Sequence, residues 1–127
     1  MSTKGSFRNL KVWAKAHQLV LLIYEATQSF PGDELYGLTS QMRRAAVSVP
    51  ANIAEGYKRK GQQDKTGFYN IAQASLEELR YFIILSQDLN YNMPKEAEKM
   101  SEEVSRMLEM YVTRIKENQV GEPDFEY

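Results

Sequence analysis

Apolar residues recur at three- and four-residue intervals in four separate stretches of the chain, and strand-like alternation is nearly absent. The first stretch predicts a helix opening at Asn9, a good N-cap, and running to about Ser29, with an inward stripe of Leu10, Trp13, Ala16, Val20, Ile23, Tyr24 and Thr27. Phe30-Pro31-Gly32-Asp33 then stops the chain and is expected to cap a second helix from about Glu34 to Tyr57. Leu38, Met42, Ala45, Val49 and Ile53 form its apolar stripe. Pro50 falls inside that pattern; it has no N–H to donate and crowds the preceding turn, so a kink is expected there rather than a break.

Lys58-Arg59-Lys60-Gly61 separates this helix from a third, expected over Gln62 to Leu89 with Phe68, Ile71, Ala72, Ser75, Leu79, Phe82, Ile83 and Ser86 inward. Asn90 to Pro94 make the next turn. A fourth helix follows to about Glu117 through Ala97, Met100, Val104, Met107, Leu108, Tyr111 and Ile115. Short turns between long helices force neighbours to run antiparallel, so the expected fold is an all-α, up-down-up-down four-helix bundle over residues 9–117. Residues 1–8 are expected to be flexible. Residues 118–127, acidic with Gly121 and Pro123, are expected to be frayed or disordered.

At 127 residues one domain with a real core is possible. The longest apolar run, Leu19 to Tyr24, is too short to span a bilayer, and Met1 to Ser6 lack a secretory pattern, so a cytoplasmic location without membrane association is expected. The net charge of −1 conceals an asymmetry. Residues 1–60 carry nine Lys/Arg against four Asp/Glu, whereas residues 61–127 carry seven against thirteen. Such halves can complement one another inside a bundle, or they can leave a basic face open to phosphates.

Catalytic chemistry finds little support. The chain has no cysteine and a single histidine, His17, with alanine at position 14, so the paired Glu-x-x-His motif of di-metal bundles is missing. Ser48 and Ser75 have no second histidine-bearing segment to activate them, and Gly56 and Gly61 do not have phosphate-loop spacing. No cofactor is expected, and the chain is read as a non-enzyme.

Two constellations remain. Gln41, Arg44, Ser48, Asn52 and Glu55 fall within an arc of about 80° on the second helix, beside its apolar stripe. Such a stripe either satisfies itself and a neighbouring helix or forms a registered contact between subunits. Arg43 and Arg44, with Lys58, Arg59 and Lys60 at the helix end, make a cationic set. It is either a solvated turn or a phosphate-contacting surface.

The segment from Tyr36 to Gln41, followed by Arg43 to Gly56 (Arg-Arg-Ala-Ala-Val-Ser-Val-Pro-Ala-Asn-Ile-Ala-Glu-Gly), strongly resembles the bacterial four-helix-bundle family of 23S rRNA-intervening-sequence proteins, also called S23 proteins. Phe7 to Trp13 and Phe68 to Leu79 match as well, so the resemblance covers about residues 7–117. It implies a left-handed up-down-up-down bundle assembling as a homopentameric ring. The fold is also similar to the accessory protein of diversity-generating retroelements, a basic pentamer that binds nucleic acid and a reverse transcriptase. Neither catalysis nor ribosomal membership follows from the resemblance. The sequence departs from that pattern in its pI of about 5.9, which is not that of a strongly basic binder. The expectation is therefore an oligomeric protein that associates with structured RNA or DNA through its basic second helix. The alternative is an interaction scaffold for a protein partner, using the Gln41–Glu55 stripe.

Overall fold

The computed structural model describes residues 5–118. Four helices account for most of them: α1 (Lys11–Thr27), α2 (Leu38–Lys58), α3 (Gln62–Asp88) and α4 (Lys95–Asn118). Two short 3-10 turns, Phe7–Asn9 and Gly32–Glu34, precede α1 and α2. Among the described residues there is no strand, and no helix is long and apolar enough to cross a membrane.

Each helix packs against two others: α1 and α3 both lie against α2 and α4. The result is a four-helix bundle around one core. Along α3, rising residue numbers meet falling numbers on α4: Gln62 with Ile115, Gln73 with Ser105, Arg80 with Glu102. The α2–α3 pairs follow the same rule, Ser48 with Ser75 and Gly56 with Lys65.

The helix starts differ from those read in the sequence, each for an identifiable reason. Asn9 does not cap α1. It closes the 3-10 turn, whose cap is Ser6 through its Oγ accepting the Arg8 N–H, and Leu10 holds the extended position before α1. Leu10 is almost fully buried, so the demand to bring its side chain into the core outweighs a favourable cap at the preceding residue. The second helix begins at Leu38 rather than Glu34, and Asp33 is not its cap. The Glu34 carboxylate instead reaches forward: Oε1 accepts the Leu38 N–H at 3.1 Å and Oε2 accepts the Tyr91 hydroxyl at 3.0 Å. A Cβ at Gly37 would sit 2.9 Å from that Oε1, so a residue without a side chain is what lets the carboxylate cap the helix.

Within α2 the sequence stripe is buried in full, from Leu38 through Met42, Ala45 and Val49 to Ile53. The helix continues through Pro50, itself buried. In α3 the stripe is rotated. Ile71 is exposed and Phe68 and Phe82 are only half-buried, whereas Lys65, Tyr69 and Leu76 join Ala72, Leu79, Ile83 and Ser86 inside. Tyr69 sets this phase by lying against Gly56 of α2, where only a glycine leaves room for its ring. In α1, Val12, Leu19 and Ala26 are buried as well, while Trp13 is half-buried and Tyr24 is exposed. Ala97, Val104, Leu108, Tyr111 and Ile115 of α4 are buried as expected, with Met100 and Met107 at the border.

Past α3 the chain turns through Asn90 at φ 64°, with the Tyr91 N–H bonding to the Ser86 carbonyl and the Asn90 N–H to that of Gln87. This is a Schellman ending with asparagine in the left-handed position that glycine usually takes. It seats Tyr91 against Phe30 with ring centroids 5.1 Å apart, closing that end of the bundle. Residues 5–8 of the segment expected to be flexible are described, and Phe7 packs edge-on against Trp13 at 5.0 Å. Residues 1–4 and 119–127, with nearly all of the expected tail, lie outside the described residues.

Candidate nucleic-acid interface

The five cations singled out in the sequence are handled unequally by the fold. Arg43 is half-buried and ties α2 to α1. Its Nε donates to Thr27 Oγ1 at 2.9 Å, its Nη2 to the Tyr24 carbonyl at 3.4 Å, and its guanidinium lies 4.7 Å from the Tyr24 ring centre. The Thr27 hydroxyl passes the contact on by donating to the Ile23 carbonyl at 2.7 Å. Charge-assisted bonds and ring stacking of this kind hold an arginine in one orientation. Arg43 therefore serves the fold first.

Arg44, one residue on, points to solvent. It stands between two shallow clefts of about 670 and 530 Å³. Tyr24, Leu35, Tyr36 and Val47 line the first, and Gln41, Ser48, Ser75 and Glu78 line the second. Tyr36 is 93% exposed, so its ring stands free beside Arg44.

At the far end of α2, Lys58 and Lys60 are exposed and make no ion pair with a described residue. Arg59 between them is loosely held, 3.5 Å from Glu55, 4.0 Å from Asp64, and stacked over Phe68 at 4.7 Å. These pairs are well exposed and bind weakly in water, so Arg59 can exchange them for another anion. The 3-10 turn before α1 packs against both α1 and α2. That brings exposed Arg8 to the bundle's side formed by these two helices, whereas exposed Lys11 lies one turn before Lys15, toward α4.

The polar stripe divides in the same way. Ser48 Oγ and Ser75 Oγ share a hydrogen bond of 2.8 Å between α2 and α3, and Asn52 Nδ2 donates to both the Ser48 carbonyl and its Oγ. Ser48 and Asn52 are thus satisfied within one chain. Gln41, Arg44 and Glu55 remain on the exposed side of the stripe.

Sequence reasoning missed Lys65. It is 5% exposed, and its Nζ donates to the carbonyls of Gly56 at 3.3 Å and Tyr57 at 2.9 Å, capping the negative end of α2. The signal was its phase: Lys65, Tyr69, Ala72 and Leu76 keep helical spacing, and a lysine just after a helix end can reach back to that helix's last carbonyls. Glu34 was missed as a cap because it acts from four residues upstream across a glycine.

A family model for the 23S rRNA-intervening sequence protein matches residues 8–113, which include α1, α2 and α3 entire and most of α4. The chain belongs to that family. No curated protein matches it. The family region takes in every residue of the two candidate surfaces, from Arg8 through the Gln41–Glu55 stripe to Lys60. Family membership and an all-helical bundle are compatible with RNA association.

Proposed function

We propose that the protein is a non-enzymatic, ring-forming helical bundle with up-down-up-down topology that associates with structured RNA or DNA through the basic surface of α2. The observation that carries this reading is the placement of free cations. Arg44, Lys58 and Lys60 are exposed on α2 and the turn that follows it, Arg59 is only weakly engaged, and Arg8 stands on the turn that packs against α1 and α2. Arg43 contributes by fixing α1 to α2 beneath that surface. Contacts of this type position phosphates by charge and read little sequence. A homopentameric ring would repeat the cluster five times, turning a weak footprint into a strong one.

The test is fluorescence-anisotropy binding to a hairpin RNA and a duplex DNA at low and near-physiological salt, for the natural protein and for Lys58→Ala/Arg59→Ala/Lys60→Ala together. Binding should weaken, and the slope of log affinity against log salt should flatten by about 0.9 for each duplex-DNA phosphate that the triple variant no longer neutralises. Unchanged affinity and slope would remove these residues from the site.

A second reading, a protein-interaction scaffold, is favoured by one observation: Arg44 and Tyr36 stand exposed between clefts that also carry Leu35 and Val47. Arginine and tyrosine set among apolar side chains are the residue types that dominate interface energetics. Under this reading Arg44→Glu dissociates the oligomer in sedimentation velocity, and an intact oligomer returns the stripe to the single chain.

A further inference from the structure

One aromatic constellation lies outside the cationic set. Trp13 and His17 are one turn apart on α1, and their rings stack with centroids 5.1 Å apart and planes 7° from parallel. Phe7, folded back by the 3-10 turn, meets the indole at 5.0 Å and 60° and holds it from the other direction. Trp13 is half-buried against the core, whereas His17 is exposed. The indole therefore covers one face of the imidazole and leaves the rest of the ring to water. Leu21, one further turn along, is 56% exposed and extends the same apolar strip.

The position of this stack on α1 is fixed by two contacts. Lys15 reaches Glu103 of α4 at 3.3 Å, so it marks the side of α1 turned to α4. Tyr24 and Thr27 contact Arg43 of α2, so they mark the opposite side. At 100° per residue, Trp13 and His17 fall with Tyr24, on the α2 side. Their surroundings are one-signed. From Gly5 to Tyr24 the chain carries Arg8, Lys11 and Lys15 and no acidic residue, and from Leu38 to Ala54 it carries Arg43 and Arg44 and again none. Lys11 and Lys15, one turn apart, share the α4 side, where Lys15 is paired with Glu103. Arg8, next to Phe7 in the 3-10 turn that packs against α1 and α2, is exposed.

We infer that the Trp13–His17 stack is a platform for an unpaired nucleobase of a single-stranded RNA, with Arg8 meeting a phosphate that flanks it. A flat ring already stacked on a second ring accepts a third by the same attraction, and every base offers a π-face, so such a site tolerates any sequence. Arg8, in a stretch without acidic residues, supplies positive charge for a polyanionic strand. This rests on the nucleic-acid reading above and sharpens it: the strand must expose bases, so a loop or single-stranded segment is recognised rather than a perfect duplex.

Trp13 is the sole tryptophan, which makes it a direct reporter. A ten-nucleotide single-stranded RNA of mixed sequence and an abasic strand of the same length should be titrated while tryptophan emission and anisotropy of an end label are both followed. The base-bearing strand should quench Trp13 and bind about tenfold more tightly than the abasic one, the gain expected from one stacked base. His17→Ala should remove both differences, and His17→Phe should restore the affinity difference. Each variant's helical circular dichroism checks that the exposed substitution leaves the fold intact. Binding of both strands with equal affinity and unchanged tryptophan emission overturns the platform while leaving the phosphate-contact reading standing. No binding of either strand, or of hairpin RNA, at low salt overturns both.

Discussion

Gly56 of α2 lies directly against the Tyr69 ring of α3, and replacing it with alanine sets two known effects against each other. In a helix interior, glycine to alanine is stabilising by about 1 kcal/mol because the unfolded chain loses freedom and the helix gains propensity. At Gly56, however, the added methyl carbon would lie 2.6, 2.9 and 3.1 Å from three atoms of the Tyr69 ring. The ring has little room to yield: Tyr69 is fully buried and packs against the Tyr111 ring, centroids 5.5 Å apart. Forcing extra volume into a packed core costs about 1–3 kcal/mol, and three close approaches to an encased ring place this case at the upper end. The net expectation for Gly56→Ala is a loss of about 1–2 kcal/mol, or roughly 4–8 °C in Tm for a domain near this size.

The control is internal. Gly67 lies in α3 with no atom within 4 Å of its would-be Cβ, so Gly67→Ala receives the propensity gain alone and should raise Tm by a few degrees, about 1 kcal/mol. Both variants are to be melted by circular dichroism at one protein concentration, since assembly would make Tm concentration-dependent. In a Tyr69→Leu background the Gly56→Ala penalty should shrink, giving a coupling energy of about 1 kcal/mol or more. If Gly56→Ala raised Tm as Gly67→Ala does, the packing argument for the register of α3 would be wrong.

Three further outcomes follow from the side-chain bonds of the bundle. Lys65→Met keeps the stem but removes the charged cap on Gly56 and Tyr57, and should cost about 2 kcal/mol by urea denaturation; a loss below about 0.5 kcal/mol would show that the carbonyls are solvated well enough without it. The Tyr91 hydroxyl is raised above its ordinary value of 10.0 chiefly by donating to Glu34, then by burial and the nearby charges of Glu34 and Asp33. Below the unfolded-state value this contribution to stability is complete, and it is lost as pH rises through the folded value because the unfolded chain releases that proton first. The urea midpoint should therefore fall as pH rises above about 10, and less steeply in Glu34→Gln; equal slopes would refute the link. Ser48→Ala and Ser75→Ala should each cost about 1 kcal/mol and show coupling in the double variant, whereas additive losses would mean that the shared hydrogen bond contributes nothing to the α2–α3 contact.

The number of helices and their approximate extents were legible because hydrophobic periodicity is a sum over many residues, and single misplacements do not alter it. All of the α2 stripe and most of the α4 stripe were read correctly for this reason. The helix starts were not legible. A cap is one or two hydrogen bonds, and at Asn9 it was overruled by the burial of Leu10, while at α2 it comes from Glu34 across Gly37. The phase of α3 was missed because Phe68 and Ile71 are as apolar as Tyr69 and Leu76. Which pair turns inward depends on Gly56, a residue in a different helix. Among the cations, sequence located the charges but not their partners. Arg43 and Arg44 are adjacent letters of the same type, yet one is bonded to α1 and the other stands in solvent.

A pI of about 5.9 need not count against a polyanion-binding surface, because nucleic acid responds to the charge within a screening length and not to the molecular total. At physiological salt that length is about 8 Å, less than the spacing between helices that face away from each other across a bundle. The acidic excess follows residue 60, whereas the acid-free stretches belong to α1 and α2. Two substitutions with the same effect on pI separate these views. Glu55→Gln removes a negative charge beside the Lys58–Lys60 turn and releases Arg59 from its 3.5 Å pair. Asp88→Asn removes one at the last residue of α3, at the other end from that turn. Glu55→Gln should tighten hairpin-RNA binding by about threefold, the scale of an exposed ion pair, and Asp88→Asn should leave it unchanged at near-physiological salt. Equal tightening by both would mean that overall charge governs association, and the α2 surface would then have no claim to being the site.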